Sequence, residues 1–238
     1  MSWALTGLVQ VRDLQRHLGR GEDRFTVTID RLDLTPGNHL ALTGPSGCGK
    51  STVLALLGLA LRPDAVATFR IGATDAAALW AGGREGDLGR LRAGTIGFVP
   101  QTGRLLPFLT LRGNIALPLD LMNRPDPARI VQLAAALGIT AVLDRRPAEV
   151  SIGQRQRAAV ARAVIHTPAV ILADEPTASV HRSQARAVLA LLREVAAAVG
   201  AAMMIATHDL SLAEEAGFAT VPMQLAASGL HSRVTWPC

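Results

Sequence analysis

A glycine-rich segment has the residue types and the spacing of a phosphate-binding loop. Residues 44–51 read Gly-Pro-Ser-Gly-Cys-Gly-Lys-Ser, which fits the pattern G-x-x-x-x-G-K-S. In such a loop the backbone N–H groups close around phosphate oxygens, the lysine reaches the outer phosphates, and the final serine offers a hydroxyl to magnesium. Lys50 is the only lysine of the chain, as expected where a compact ammonium is required. The segment predicts a nucleotide-phosphate site, with an ordinary glycine-rich turn as the alternative.

Two carboxylates and a histidine follow apolar runs further along the chain. Asp174 and Glu175 end the run Val-Ile-Leu-Ala, and His208 follows the run that ends Ala-Thr. Because the carboxyl ends of parallel strands meet at one edge of a sheet, we expect these side chains to face the phosphate loop. Aspartate can hold magnesium, and glutamate can polarise water. Taken alone, the carboxylates could equally form ion pairs or helix caps, and His208 could be structural.

The elements that must position these residues follow from apolar patterning. Alternation between about residues 8 and 34 predicts a small antiparallel sheet, and a helix is predicted over 51–61, directly after the loop. The runs 96–99, 170–173 and 203–206 lack alternation, which is typical of strands buried on both faces of a parallel sheet. Helices are also predicted near 127–137, with Asp126 as N-cap, and near 153–165. Strands separated by helices indicate an α/β fold.

Bulk composition narrows the class of protein. A chain of 238 residues fits one α/β domain with at most a small lobe. Its longest apolar stretch, 195–206, is shorter than the ~20 residues of a membrane span, and the charged N-terminal thirty residues argue against a secretory signal. Cys48 and Cys238 indicate no disulfide framework, so we expect a cytoplasmic protein. Despite the net charge of +5, scattered arginines and 3% aromatics argue against a nucleic-acid partner.

Together these motifs resemble those of the ABC ATPase family. The order is the phosphate loop, Gln101 after the strand at 96–99, the segment Val-Ser-Ile-Gly-Gln at 150–154 in place of a signature like LSGGQ, the carboxylate pair, and His208. Ser151 and Gln154 also have the S-x-x-Q form of a capping box, and capping alone would explain those two residues. Within the family, residues 105–119 and 172–177 look most like the branch that contains LolD, MacB and FtsE.

The resemblance implies a P-loop NTPase fold: a RecA-like parallel core over 41–101 and 168–238, an antiparallel β subdomain over about 1–40, and an inserted helical lobe over 102–167. It also implies an ATPase that uses Mg²⁺ and pairs with a second ATPase subunit, identical or different. The pair would bind an integral membrane permease at the inner face of the cell membrane. The branch implies export, lipoprotein release or mechanical transmission.

Roles for individual residues come from the same resemblance. It implies catalytic roles for Lys50, Glu175 and His208, and it places Ser51, Gln101 and Asp174 around magnesium. The remaining ATP contacts would come from Gly44, Pro45, Ser46, Gly47, Cys48, Gly49 and Thr52, and from Ser151, Gly153 and Gln154 of the opposite subunit.

Three positions depart from the family pattern. Ile152 replaces the first glycine of the signature. An isoleucine at this position would be strained at positive φ but tolerable in a helix. His181 stands where the family usually has an aspartate that organises the opposite site. His17 occupies, by ungapped spacing from the loop, the place of the aromatic residue that stacks on adenine, although an exposed turn position is the alternative. These departures leave open a second hypothesis, a subunit that closes on ATP but hydrolyses it slowly.

Overall fold

A single mixed sheet organises the chain. The computed structural model describes residues 7–21, 24–101, 104–178, 182–234 and 236. The strands are β1 (Val9–Leu18), β2 (Phe25–Leu34), β3 (His39–Thr43), β4 (Thr68–Ile71), β5 (Thr74–Asp75), β6 (Ile96–Val99), β7 (Val170–Asp174), β8 (Ala202–Thr207), β9 (Ala219–Leu225) and β10 (His231–Val234). They are ordered β5-β4-β1-β2-β10-β9-β3-β8-β7-β6.

Eight α-helices lie among the described residues: α1 (Lys50–Leu57), α2 (Ala76–Ala81), α3 (Glu85–Thr95), α4 (Leu111–Leu121), α5 (Pro127–Ala136), α6 (Ile152–Val164), α7 (Arg182–Val199) and α8 (Leu210–Glu215). Two 3₁₀ turns, Thr140–Val142 and Pro147–Glu149, precede α6. None of the helices in the described ranges is long and apolar enough to cross a membrane.

The parallel part of the sheet confirms the predicted α/β core. β9, β3, β8, β7 and β6 run parallel to one another, and β7 and β8 are buried almost throughout. One apolar cluster lies on the side of α1 and the antiparallel strands, and a second lies on the side of α6, α7 and α8. Helix α1 is shorter than predicted because Gly58 caps it and Leu59 leaves the helix at φ 54°. The strands that lead to the loop and to the charged residues, β3, β7 and β8, are therefore packed on both faces of the sheet.

The antiparallel region draws on more of the chain than the predicted boundary near residue 40. β1 pairs with β2 on one side and with β4 on the other, and β4 pairs with β5. β10, from the C-terminal end of the described chain, pairs parallel with β2 and antiparallel with β9. The last of these pairings makes the antiparallel region and the parallel core one continuous sheet.

The predicted helical lobe is present and has its own core. Buried side chains of α4, α5 and α6 form a separate cluster that includes Ile115, Ala134 and Ala158. Asp126 caps α5 as predicted, because its carboxylate accepts a hydrogen bond from the Arg129 N–H at 2.9 Å. Along the chain the lobe lies between β6 and β7, which are parallel neighbours in the sheet. It is therefore an insertion between two strands that end at the same edge.

Candidate active site

The phosphate loop joins β3 to α1 and packs against β2. Gly49 precedes α1 at φ 94°, a conformation that side chains other than glycine rarely adopt. A Cβ at Gly49 would also lie 2.9 Å from Val27 Cγ2 and 3.2 Å from Phe25 Cε1. Lys50, 6% exposed, donates from Nζ to the carbonyl oxygens of Gly44 at 2.9 Å and Pro45 at 3.0 Å. The loop therefore curls around the ammonium group, in the strand–loop–helix setting that the motif requires.

A hydrogen bond joins the start of α1 to the end of β7. Ser51 Oγ donates to Asp174 Oδ1 at 2.9 Å. Burial raises the pKa of Asp174, and the neighbouring Glu175 carboxylate adds to the rise, whereas the Ser51 hydrogen bond and the Lys50 charge oppose it. A cation placed between these oxygens would offset the cost of burying the carboxylate.

These two oxygens fit magnesium. Mg²⁺ prefers oxygen ligands and takes one or two from protein, filling its other positions with water and substrate phosphate oxygens. Across the described ranges, no cluster of three or more His, Cys, Asp or Glu residues could hold a metal by itself. A hydroxyl and a carboxylate beside a phosphate loop are consistent with a metal that arrives with its nucleotide.

Glu175 lies at the centre of a charged group on the same edge. Its Oε2 accepts from His208 Nδ1 at 2.9 Å, and its Oε1 lies 3.7 Å from Lys50 Nζ. The side chain is 14% exposed, and the backbone adopts φ 43° while the Glu175 N–H donates to the Ala206 carbonyl of β8. Non-glycine residues held at positive φ are often part of functional sites. The structure thus brings Lys50, Glu175 and His208 together, as the shared edge of the parallel strands predicted.

Gln101 lies at this edge too. It comes directly after β6, whose Val99 pairs with Ala173 of β7, and it is exposed. Residues 102–103 and 179–181 lie outside the described residues, so the expectation for His181 has no structural counterpart here.

The signature-like segment forms the start of α6. Ser151 Oγ accepts from the Gln154 N–H at 3.2 Å, and the Ser151 N–H donates to Gln154 Oε1 at 3.0 Å, so the capping box is formed. Ile152 is the first residue of the helix and is 55% exposed. It has no positive φ, so the helical alternative holds and the substitution is not strained. Ser151, Ile152 and Gly153 line a groove between α5, α6 and α7, and no residue of the phosphate loop lines this groove.

The structure does not bring His17 to the phosphate loop. His17 lies within β1, and its Nδ1 is 3.0 Å from Thr26 Oγ1 of β2. Thr26 lies between Phe25 and Val27, whose side chains contact the loop, so Thr26 and His17 lie on the opposite face of the sheet. Both alternatives expected for His17, stacking on adenine and an exposed turn position, are therefore wrong, because His17 is a strand residue on the face away from the loop.

Leu18 and Phe25 were missed by the sequence reasoning. They pair across β1 and β2 on the face that the loop packs against, and both are half-buried. Alternation along β2 puts Phe25 on the same face as Val27, and the packing of the phosphate loop on β2 identifies this face as the one beside the loop.

Comparisons with known proteins agree with this geometry. Residues 28–178 match the family described as "ABC transporter". The chain is 38% identical over 211 residues to the lipoprotein-releasing system ATP-binding protein LolD of Nitrobacter hamburgensis, covering 87% of this chain and 89% of that protein. It is 39% identical over 216 residues to LolD of Anaeromyxobacter dehalogenans, covering 87% and 88%.

A solved structure shows the same fold over nearly its whole length. It is described as the dimeric structure of a post-hydrolysis state of the ATP-binding cassette MJ0796 bound to ADP and Pi. The TM-score is 0.81 at 26% identity, with 96% of this chain and 97% of that chain covered. The match extends through both the antiparallel region and the helical lobe. The chain therefore belongs to the ABC transporter family, as an ATP-binding and ATP-hydrolysing subunit.

Proposed function

We propose that this chain powers a lipoprotein-releasing or closely related exporter, as one of two ATPase subunits bound to an integral membrane permease. The observation that carries the catalytic part is the convergence of Lys50, Glu175 and His208 beside the Ser51–Asp174 pair. The transport part is supported by the LolD relatives, because the match to this chain covers most of the length of each of them. The chain would act at the inner face of the cell membrane, held there by the permease.

Hydrolysis follows from the placement of these side chains. Lys50 exchanges its bonds to the loop carbonyls for the outer phosphates, and the loop glycines give their N–H groups to phosphate oxygens. Ser51 and Asp174, with Gln101 nearby, would hold a magnesium ion, which would neutralise charge on the phosphates. Glu175 orients the attacking water and accepts its proton, and His208 turns from Glu175 to the γ-phosphate. Positioning and electrostatics supply most of the catalysis in sites of this kind.

The exposed start of α6 supports a second subunit as part of the site. Ser151 and Gln154 cap a helix whose N-terminus favours anions, and their hydrogen bonds are to each other. Ser151 and Gly153 line an open groove beside α7. A second copy or a different ATPase subunit would bring these residues over ATP bound at the phosphate loop. This arrangement is compatible with the dimers reported for the MJ0796 cassette.

The alternative of a slow, regulatory subunit loses two of its three grounds, since His17 lies on the face of the sheet away from the phosphate loop. Ile152 fits a helical position without strain, and the Lys50–Glu175–His208 group is complete. The departure at His181 remains as its support.

Two measurements test the proposal. Phosphate release by the purified chain is expected to require Mg²⁺ and to disappear in Lys50→Ala but not in Arg90→Ala, whose side chain is exposed on α3. The chain reconstituted with its permease in lipid vesicles is expected to release a lipoprotein only when ATP is hydrolysed. Hydrolysis that survives Lys50→Ala would refute the catalytic assignment, and ATP turnover without lipoprotein release would refute the transport assignment.

A further inference from the structure

Glu175 is held in place by its backbone as well as by its side chain. Its φ of 43° lies in the left-handed region, which residues other than glycine adopt only at a cost in free energy. Its N–H donates to the Ala206 carbonyl of β8 at 3.0 Å, and its carbonyl accepts from the Ala178 N–H at 3.1 Å. The second bond closes a four-residue turn with Pro176 at its second position, where the fixed φ of proline favours a turn. The backbone is therefore hydrogen-bonded on both sides of the Glu175 Cα.

A side chain of α6 binds the next carbonyl of this turn. Gln156 donates from Nε2 to the Pro176 carbonyl oxygen. Pro176 is buried and Gln156 is half-buried, so this bond is largely shielded from water. Buried carbonyl groups in folded proteins are paired, because an unpaired one has lost its hydrogen bonds to water without replacement. Gln156 therefore links the helical lobe to the turn that begins at Glu175.

The side-chain contacts of Glu175 do not persist through the proposed mechanism. Lys50, now 3.7 Å from Oε1, would move to the outer phosphates, and His208, now 2.9 Å from Oε2, would move to the γ-phosphate. The direction of the carboxylate would then depend on the conformation of its own backbone. Misplacement of a reacting group by about 1 Å can cost about a hundredfold in rate. The hydrogen bonds of the turn therefore matter most at the step in which water attacks.

We propose that Gln156 is a positioning residue for ATP hydrolysis, which holds Glu175 in its left-handed conformation through the Pro176 carbonyl. The proposal rests on the proposed function, because it takes Glu175 as the group that orients the attacking water. Gln156 lines the groove beside α7, to which no residue of the phosphate loop contributes. Its loss should therefore lower the rate of hydrolysis and leave the binding of nucleotide to the loop unchanged.

Removal of the donor tests this role. Gln156→Met keeps the length of the side chain and removes the amide, so kcat for Mg-ATP, measured by phosphate release, should fall by about ten- to a hundredfold. The dissociation constant of Mg-ADP, which binds the same loop and is not hydrolysed, should be unchanged. Gln132→Met is the matched control and should alter neither quantity, since Gln132 lies exposed on α5 of the same lobe. An unchanged kcat in Gln156→Met would overturn the proposal.

A double-mutant cycle separates positioning of Glu175 from a general structural effect. Residues that act as a unit have strongly non-additive effects on rate. Gln156→Met should therefore slow hydrolysis much less in a Glu175→Gln background than in the unaltered protein. Equal losses in the two backgrounds would overturn the positioning role and leave the proposed function standing. Undiminished hydrolysis in Glu175→Gln alone would refute the catalytic assignment of Glu175 and the positioning role with it.

A carboxyl group at position 156 gives a reversible form of the same test. When protonated it can donate to the Pro176 carbonyl, and when ionised it cannot. The kcat of Gln156→Glu, divided by that of the unaltered protein at each pH, should therefore rise as the pH is lowered and the introduced carboxyl group takes up its proton. This comparison is made within one folded variant, so it does not depend on how well Gln156→Met folds. A ratio that stays constant or falls would contradict the proposal.

Discussion

Replacement of Glu175 by glutamine separates the binding of ATP from its hydrolysis. The amide keeps the size of the side chain, and its oxygen can still accept from His208 Nδ1, which lies 2.9 Å from the present Oε2. It cannot accept a proton from water. Loss of a positioned general base costs about two to four decades in rate, so we expect hydrolysis to fall by that amount.

The same change should tighten ATP binding. Glu175 Oε1 lies 3.7 Å from Lys50 Nζ, where its carboxylate would compete with phosphate for the ammonium group. Opposite charges about 4 Å apart attract by about 1 kcal/mol in water and by about 4 kcal/mol near a protein surface. Using the lower figure, release of Lys50 and loss of a carboxylate near the γ-phosphate should lower the dissociation constant of ATP about fivefold.

Single-turnover phosphate release and equilibrium ATP binding check the two effects separately. Light scattering with saturating Mg-ATP should show a dimer that persists in Glu175→Gln, because in the proposed dimer ATP would hold the two subunits together until it is hydrolysed. Glu85→Gln is the matched control, since this glutamate lies exposed in the first turn of α3. Turnover within about tenfold of the unaltered protein, outside the range for a lost base, would remove Glu175 from the catalytic role.

Three further predictions concern neighbouring groups. Because burial raises the pKa of Asp174, Asp174→Asn should leave the nucleotide-free protein at least as stable in thermal unfolding, yet abolish the Mg²⁺-dependent part of its stabilisation by ATP. His181→Asp should raise steady-state hydrolysis with the permease present, at unchanged ATP affinity, because misplacement by about 1 Å can cost about a hundredfold in rate; a neutral or slower variant would contradict this. Burial lowers the pKa of His166 from 6.5, so stability should fall as pH drops below that value, and denaturant titrations of His166→Gln should show a weaker pH dependence.

The edge of the sheet where β3, β7 and β8 end could be predicted from the sequence, because few arrangements of these three strands are possible. A glycine-rich loop after one buried strand, and charged residues after two others, must meet once those strands run parallel. The contacts of Lys50 and His208 with Glu175 confirm this. The helical position of Ile152 could not be decided from its identity, because it depends on where the Ser151 cap starts α6.

The error at His17 has a physical cause in β1. Val9 and Val11 are buried, so continued alternation would turn residue 17 toward the core as well. At Asp13 the backbone takes φ 50°, and from Leu14 onward the even-numbered residues face the core. The sequence itself indicates this change. Val9 and Val11 are two residues apart, whereas Val11 and Leu14, which lie on either side of Asp13, are three residues apart. Counting residues back from the loop cannot detect such a reversal, whereas the hydrogen-bonded register of two strands does.

Helix α6 is hydrogen-bonded to two segments beside the candidate active site. The half-buried Arg162 of α6 donates from its guanidinium to the Arg104 carbonyl at 2.8 Å, three residues after Gln101. Gln156 of the same helix donates to the Pro176 carbonyl, next to Glu175, and Ser151 caps its exposed start.

The far end of α6 is held against the sheet. A Cβ at Gly97 would lie 2.1 Å from the Ala163 carbonyl oxygen, so only glycine lets the end of α6 approach β6 this closely. Two side-chain hydrogen bonds of α6, from Arg162 to the Arg104 carbonyl and from Gln156 to the Pro176 carbonyl, therefore attach the helix that begins at the signature segment to the chain near Gln101 and Glu175.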